Sequence, residues 1–225
     1  MEEQNTFVAS PESKAKAKQF RIIAFILWII AIGIEIYAIF KLISNETMVA
    51  LIIAIVVTLV CAVIASILWK KANRLDPASE KDKARFFIQN QLGAIMGVLA
   101  FLPLVILIFT NKDLDGKTKG IAGSIAVVAM LIAGISGADF NPPSVEKYTE
   151  EINKQNETLK DLNVTGYVHW SKAGNKYHID RYCHHIKNKS NITQGTVNAS
   201  FEQRGISELC KTCKNRAKKV KVLPQ

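Results

Sequence analysis

Four long apolar runs, separated by short polar segments, dominate the first 138 residues of the chain. They cover residues 20–43, 48–69, 88–110 and 119–137. Each run comes close to the roughly 20 apolar residues that an α-helix needs to cross a bilayer. The fourth run is the shortest, but without it the number of spans would be odd. The pattern predicts a membrane all-α fold, a four-transmembrane-helix bundle occupying residues 20–138.

The first apolar run follows a polar tail, residues 1–19. It is too long for the apolar region of a secretory signal, and no small-residue cleavage site follows it closely. We therefore expect this run to remain in the protein as a membrane anchor.

The distribution of Lys and Arg over the short loops predicts the orientation of the spans. The tail up to Arg21 and the segment 70–85 between the second and third runs carry ten basic residues, and the two loops on the opposite side carry four. Basic loops stay on the cytoplasmic side. We expect a multi-pass protein of the cell inner (plasma) membrane with cytoplasmic N- and C-termini.

Two residues inside the apolar runs depart from the pattern. Glu35 lies in the first run between two isoleucines, and a carboxylate within a bilayer is costly enough to mark a candidate functional group. The alternatives are a protonated or hydrogen-bonded Glu that joins helices, and a Glu near enough to the outer interface to reach water. Pro103 in the third run predicts a kink.

Small residues are concentrated in the fourth run, where they allow close approach between helix backbones. This composition predicts packing against the other three helices or a homo-oligomer. The residues concerned are Gly120, Ser124, Ala126, Ala133, Gly134 and Gly137.

A helical stalk is predicted at residues 144–163. Two prolines, Pro142 and Pro143, interrupt the chain before it, and Ser144 can cap a new helix. Apolar residues then recur over 145–162 at steps of three and four. This amphipathic helix either self-associates, which would make the protein a homo-oligomer, or lies on the following module or on the membrane.

Residues 164–215 contain the candidate chemistry, in a small α+β module. Residues 167–170 alternate like a strand, 171–175 form a turn, and 176–180 are predicted as the return strand. Cys183 and a Cys210-x-x-Cys213 pair follow. With one His, three thiolates can complete a tetrahedral zinc site, and a cytoplasmic location keeps the thiols reduced. A redox dithiol and a metal-free module are the alternatives.

The predicted hairpin favours His178 as the nitrogen ligand, because it would hold this residue near Cys183. His184 and His185 directly follow Cys183, where chain geometry makes joint binding awkward. His169 is expected to be a solvent-facing strand residue.

The module also carries a specific pattern, V-x-W-x-x-x-G-x-K-Y-H followed by Cys183, Gly195-Thr196 and the Cys210–Cys213 pair. Over about residues 166–215 the chain resembles a small bacterial module of the Ada-like metal-binding fold, which occurs as an accessory tail on membrane proteins and secreted nucleases. The resemblance implies metal ligation by His178, Cys183, Cys210 and Cys213, and no catalytic activity. Glu208-Leu209 stands where Thr-Pro is common. The apolar runs show no comparable resemblance.

A basic tail, residues 216–225, ends the chain and contributes to its net charge of +10. The basic residues after the knuckle could contact phosphates of membrane lipid; nucleic acid is the less favoured partner. They are Lys211, Lys214, Arg216, Lys218, Lys219 and Lys221.

Taken together, these features predict a non-enzymatic membrane protein that anchors a cytoplasmic structural-zinc module, which binds an unknown cytoplasmic protein partner or acts as a sensor. No Ser/His/Asp set, paired carboxylates or phosphate loop appears in the sequence. The alternative is a membrane-permeabilising or transport protein, channel-like, in which Glu35 and the Pro103 kink form a conduit gated by the C-terminal module.

Overall fold

The computed structural model describes residues 6–164 and 166–222, except for the side chains of residues 204 and 220–222. The chain divides into two compact units. The span unit is Lys14–Pro143, and the C-terminal unit combines Ser144–Gln225 with Met1–Ser13.

All the regular secondary structure of the span unit is helical. They are α1 (Pro11–Lys41), α2 (Met48–Leu75), α3 (Lys83–Leu99), α4 (Leu102–Thr110) and α5 (Gly116–Gly137). With α3 and α4 taken as one span, four helices are long and apolar enough to cross a membrane, with mean hydropathies between 2.0 and 3.2. The prediction of four apolar helices of membrane-spanning length is confirmed, including the short fourth one. The first begins at Pro11, well before residue 20.

Many large apolar side chains point outward from these helices, and many of the buried positions are occupied by small residues. Ile29 is 68% exposed, whereas Ala62 and Ala133 are fully buried. This inverts the arrangement of a water-soluble bundle and is what lipid-facing helices require, since lipid tails solvate Ile as well as a protein core does.

The smallest residues lie where α3 meets α5. A Cβ atom added at Gly97 would lie 2.8 Å from the Ala133 carbonyl oxygen, and one added at Gly93 would lie 2.8 Å from the Gly137 carbonyl oxygen. Thus much of the small-residue face of the fourth span is used for packing within the chain. Gly120 remains exposed.

The third span is broken rather than only kinked. Helix α3 ends at Leu99 and α4 begins at Leu102, with Pro103 in its first turn. Proline has no amide hydrogen and its ring clashes with the carbonyl four residues earlier, so the helix cannot run through this point. Phe101, the residue before α4, is fully buried.

A polar network joins α1, α2 and α3 at one end. The Arg21 guanidinium lies 2.8 Å from the Asp76 carboxylate. Trp69 Nε1 and Asn73 Nδ2 both donate to the Gln89 carbonyl oxygen, at 2.7 and 2.6 Å. These bonds tie the ends of three apolar helices together where a hydrophobic driving force between helices is missing.

From Ser144 onward, the described residues of the C-terminal unit form three helices and a two-stranded sheet: α6 (Val145–Asp161), β1 (Val168–Ser171), β2 (Ile192–Gly195), α7 (Val197–Arg204) and α8 (Lys211–Val222). The predicted return strand at 176–180 was wrong. Strand β1 pairs antiparallel with β2, and residues 176–180 add to β1 only the isolated bridge between His169 and His178.

Helix α6 begins as the sequence predicts, with the Ser144 hydroxyl accepting a hydrogen bond from the Lys147 amide at 3.0 Å. Its apolar residues Ile152 and Leu159 are buried within the C-terminal unit. The Tyr177 hydroxyl lies 2.8 Å from Gln155 Oε1. Of the arrangements considered for this helix, the structure shows the one in which it lies on the module.

An N-terminal strap, residues 7–13, also packs into this unit. The Phe7 ring meets Tyr148 and Phe201 edge to face, with centroid distances of 5.2 and 5.9 Å. The Phe7 amide donates to Thr149 Oγ1 at 2.9 Å, and the Ser13 hydroxyl donates to the Glu202 carbonyl oxygen at 3.3 Å. No local feature of the sequence predicts this contact.

Candidate metal centre

The four predicted ligands come together in the C-terminal unit. One donor atom from each of His178, Cys183, Cys210 and Cys213 lies within 4.8 Å of the other three, and all four residues are buried. The three thiols are free. The group is therefore compatible with binding a metal ion.

The spacing of the donors fits a small tetrahedral shell. Cys213 Sγ lies 3.8 Å from His178 Nδ1. In a tetrahedron with Zn–S near 2.3 Å and Zn–N near 2.1 Å, a sulfur and a nitrogen are about 3.6 Å apart. The observed separation of the sulfur and nitrogen atoms is thus close to the value expected for tetrahedral coordination of zinc.

Backbone pairing fixes the position of His178. The amides of His169 and His178 each donate to the carbonyl of the other, both at 2.7 Å. Tyr177, fully buried, continues this pairing on its other side. Its amide donates to the Glu208 carbonyl, and its carbonyl accepts from the Cys210 amide, both at 2.9 Å. The histidine and the cysteine pair are therefore aligned through one residue.

Cys183 is placed by a separate turn. Its amide donates to the Asp180 carbonyl at 3.1 Å, and its own carbonyl accepts from the amides of Ile186 and Lys187 at 2.9 and 2.8 Å. Ile186 packs in the same core as Cys183. The turn is braced from α8, where Arg216 lies 2.7 Å from the Asp180 carboxylate.

The surroundings of the Cys210 and Cys213 thiols shift their pKa values in opposite directions. Burial raises the pKa of Cys210, but the amides of Cys213 and Thr212 hydrogen-bond to its sulfur, and its pKa ends below the ordinary value. Burial raises the pKa of Cys213 to about 11, against the opposing effect of the Asp180 and Ile179 amides. A bound cation would favour the thiolate form of the cysteine ligands.

Burial also lowers the pKa of His178, which favours the neutral imidazole that metal ligation requires. The other histidines stand outside the group. His184 and His185 are exposed, and the centroids of their rings lie 3.8 Å apart. His169, expected to face solvent, is half-buried, and its Nδ1 atom is buried without a hydrogen-bond partner among the residues described.

An open cleft of about 510 Å³ lies beside the group. His178 and Cys210 contribute to its wall, and the other polar lining residues include Lys176, His185, Lys189, Lys211 and Thr212. The Lys176 ammonium is paired with Glu208.

Glu35 is buried in the span unit at 4% exposure. Its carboxylate accepts a hydrogen bond from the Leu104 amide at 3.4 Å. That amide belongs to the first turn of α4, where helical amides have no partner within their own helix. The contact matches the helix-joining alternative, in which α1 caps the second half of the broken third span.

The predicted basic tail belongs to α8. Lys211, Lys218 and Lys219 are exposed, Lys214 is half-buried, and Arg216 is paired with Asp180. The Lys221 side chain lies outside the described residues, as do residues 223–225.

Fold and site together define a class: a chain with four apolar helices of membrane-spanning length and a buried His/Cys group compatible with a metal ion. No protein-family model, curated protein or solved structure matches the chain.

Proposed function

We propose that this is a multi-pass membrane protein whose four spans anchor a structural zinc module, and that the module serves to bind a protein partner or to sense conditions in the cytoplasm. The observation that carries the proposal is the buried group of His178, Cys183, Cys210 and Cys213.

The chemistry of the donors supports zinc in a structural role. Three thiolates and an imidazole are a set that zinc favours, and they complete a four-coordinate shell without an open position for water or substrate. The proposed function is therefore non-enzymatic. A small unit of this kind also gains stability from a metal that links distant segments. Here His178 is bridged to β1, Cys183 lies in a turn, and Cys210 and Cys213 lie at the start of α8.

The N-terminal strap supports the proposal that both termini lie on one side of the membrane. Phe7 is buried in the C-terminal unit only a few residues before α1 begins. The excess of Lys and Arg on the N-terminal side favours the cytoplasm for that side. The apolar residues of α6 are buried in the same unit, so we propose that any homo-oligomer forms through the spans.

The test is the metal content of the full-length protein purified in detergent. We expect about one zinc per chain by elemental mass spectrometry. Cys210→Ser/Cys213→Ser should lose it. The matched control is Cys61→Ser, which changes the remaining cysteine, located in α2 and outside the group, and should retain the metal.

Wild-type protein that stays metal-free after exposure to zinc would refute the structural-zinc proposal. Protease treatment of intact cells and of inverted vesicles tests the orientation separately. We expect cleavage at lysines of the C-terminal unit that are exposed and lie outside α8, such as Lys172 and Lys187, only in the inverted vesicles.

A further inference from the structure

A basic stripe follows the solvent side of α8. Cys213 and Ala217 face the core of the C-terminal unit. At 100° per residue, Lys211, Lys218 and Lys219 fall on the opposite side of the helix, and all three are exposed. Lys189 and Lys211 line the same cleft, so the positive surface continues from the helix to the cleft wall.

Within residues 166–222, acidic side chains are too few to neutralise this stripe. Residues 166–222 contain twelve Lys or Arg and three Asp or Glu. Asp180 is paired with Arg216, and Glu208 is paired with Lys176. Burial raises the pKa of the third, Glu202. Nearly all of the chain's net charge of +10 therefore resides in this part of the C-terminal unit.

We propose that the stripe of Lys211, Lys218 and Lys219, extended by Lys189, binds the phosphate-bearing surface of an anionic phospholipid bilayer. Lysine ammonium groups near a membrane respond to its negative surface potential, which decays within about one Debye length. The C-terminal unit is covalently attached to four helices of membrane-spanning length, so a bilayer is always available to it.

Single-stranded nucleic acid fits the stripe less well. Sites for single strands alternate basic residues with aromatic residues on which bases stack. Helix α8 has no aromatic residue in its sequence, KTCKNRAKKVKV. The helix therefore offers charge without a stacking platform, which matches a fluid surface of phosphate headgroups.

The test uses the full-length protein in nanodiscs of phosphatidylcholine, with or without added phosphatidylglycerol. The readout is hydrogen exchange of the α8 amides, followed by mass spectrometry. We expect exchange to slow by about fivefold for each engaged lysine in the anionic discs, and raised salt to reverse the effect. Equal exchange in the two kinds of disc would overturn the proposal.

Charge-matched variants distinguish binding by the stripe from a general effect of the protein's net charge. Lys218→Glu/Lys219→Glu should abolish the slowing, and Lys172→Glu/Lys187→Glu, with the same change in charge at exposed positions off the helix, should retain it. Equal loss in both variants would overturn the assignment to α8. If the first variant loses its zinc, Lys218→Gln/Lys219→Gln takes its place.

Two further measurements distinguish other outcomes. Zinc content is determined on the same samples, because a zinc-loaded protein without a response to anionic lipid refutes this inference alone and leaves the proposed function standing. Duplex DNA is added to the phosphatidylcholine discs. Slowing by DNA without slowing by phosphatidylglycerol would replace the lipid surface with nucleic acid.

Discussion

The strap at residues 7–13 allows a sharp prediction, because one aromatic side chain carries most of its contact. Phe7 is 6% exposed and makes two edge-to-face contacts, with Tyr148 and Phe201. Burying a Phe side chain contributes about 2–3 kcal/mol, and each aromatic pair adds about 1 kcal/mol. We expect Phe7→Ala to destabilise the docked strap by about 3 kcal/mol, since Ala retains part of the contact.

Such a loss raises the undocked population about a hundredfold, since 1.4 kcal/mol corresponds to a factor of ten. The assay is hydrogen exchange of the Phe7 amide, which donates to Thr149 Oγ1 in the docked state. Its exchange should accelerate about a hundredfold when opening is local and rapidly reversed.

The matched control is the neighbouring Val8, whose side chain is 64% exposed. Val8→Ala removes apolar surface from the same segment without changing the aromatic contacts. The Phe7 amide in this variant should therefore exchange at close to the wild-type rate. If Phe7→Ala and wild type exchange alike, the packing of Phe7 does not hold the strap, and the argument for termini on one side loses this support.

Three further predictions concern the two units separately. Removal of the metal with a strong chelator should lower the thermal midpoint of the C-terminal unit and accelerate its proteolysis. Cys183→Ser should reproduce both effects. An unchanged rate of digestion after confirmed metal loss would contradict a structural role for the metal. Gly97→Leu should destabilise the span unit by several kcal/mol, because the new side chain would meet the Ala133 backbone. The control is Gly116→Ala, which adds a Cβ atom in open space. Equal stability of the two variants against unfolding in detergent would count against close α3–α5 packing. Gly205 ends α7 with φ of +63°, so Gly205→Ala should cost about 1 kcal/mol in the denaturant unfolding of the C-terminal unit; an unshifted midpoint would speak against that backbone conformation.

The sequence was sufficient for the features that depend on local composition. Membrane-length apolar helices stand out because a single property, uninterrupted hydrophobicity, is enough to predict them. The donor set could also be predicted, since the Cys210-x-x-Cys213 spacing restricts the geometry and His178 shares a segment with the strand-like pattern.

Features that depend on distant pairing escaped prediction. The alternation at 176–180 resembles a return strand, yet the main partner of β1 is β2, beyond an intervening loop. Register between distant strands depends on tertiary packing, and no short-range turn signal indicates it. The strap was missed for a related reason: Phe7 is a single aromatic residue in a polar tail, and nothing local shows that Tyr148 and Phe201 form its pocket.

The position of that pocket in the chain also has a consequence for the order of biosynthesis. Phe7 is synthesised before the four spans, but the ring that completes its pocket, Phe201, is synthesised after all of them. The strap must therefore wait undocked while all four spans are made and inserted. Assembly of the C-terminal unit therefore follows the synthesis of all four spans, and a nascent chain truncated before residue 201 leaves Phe7 without a complete pocket.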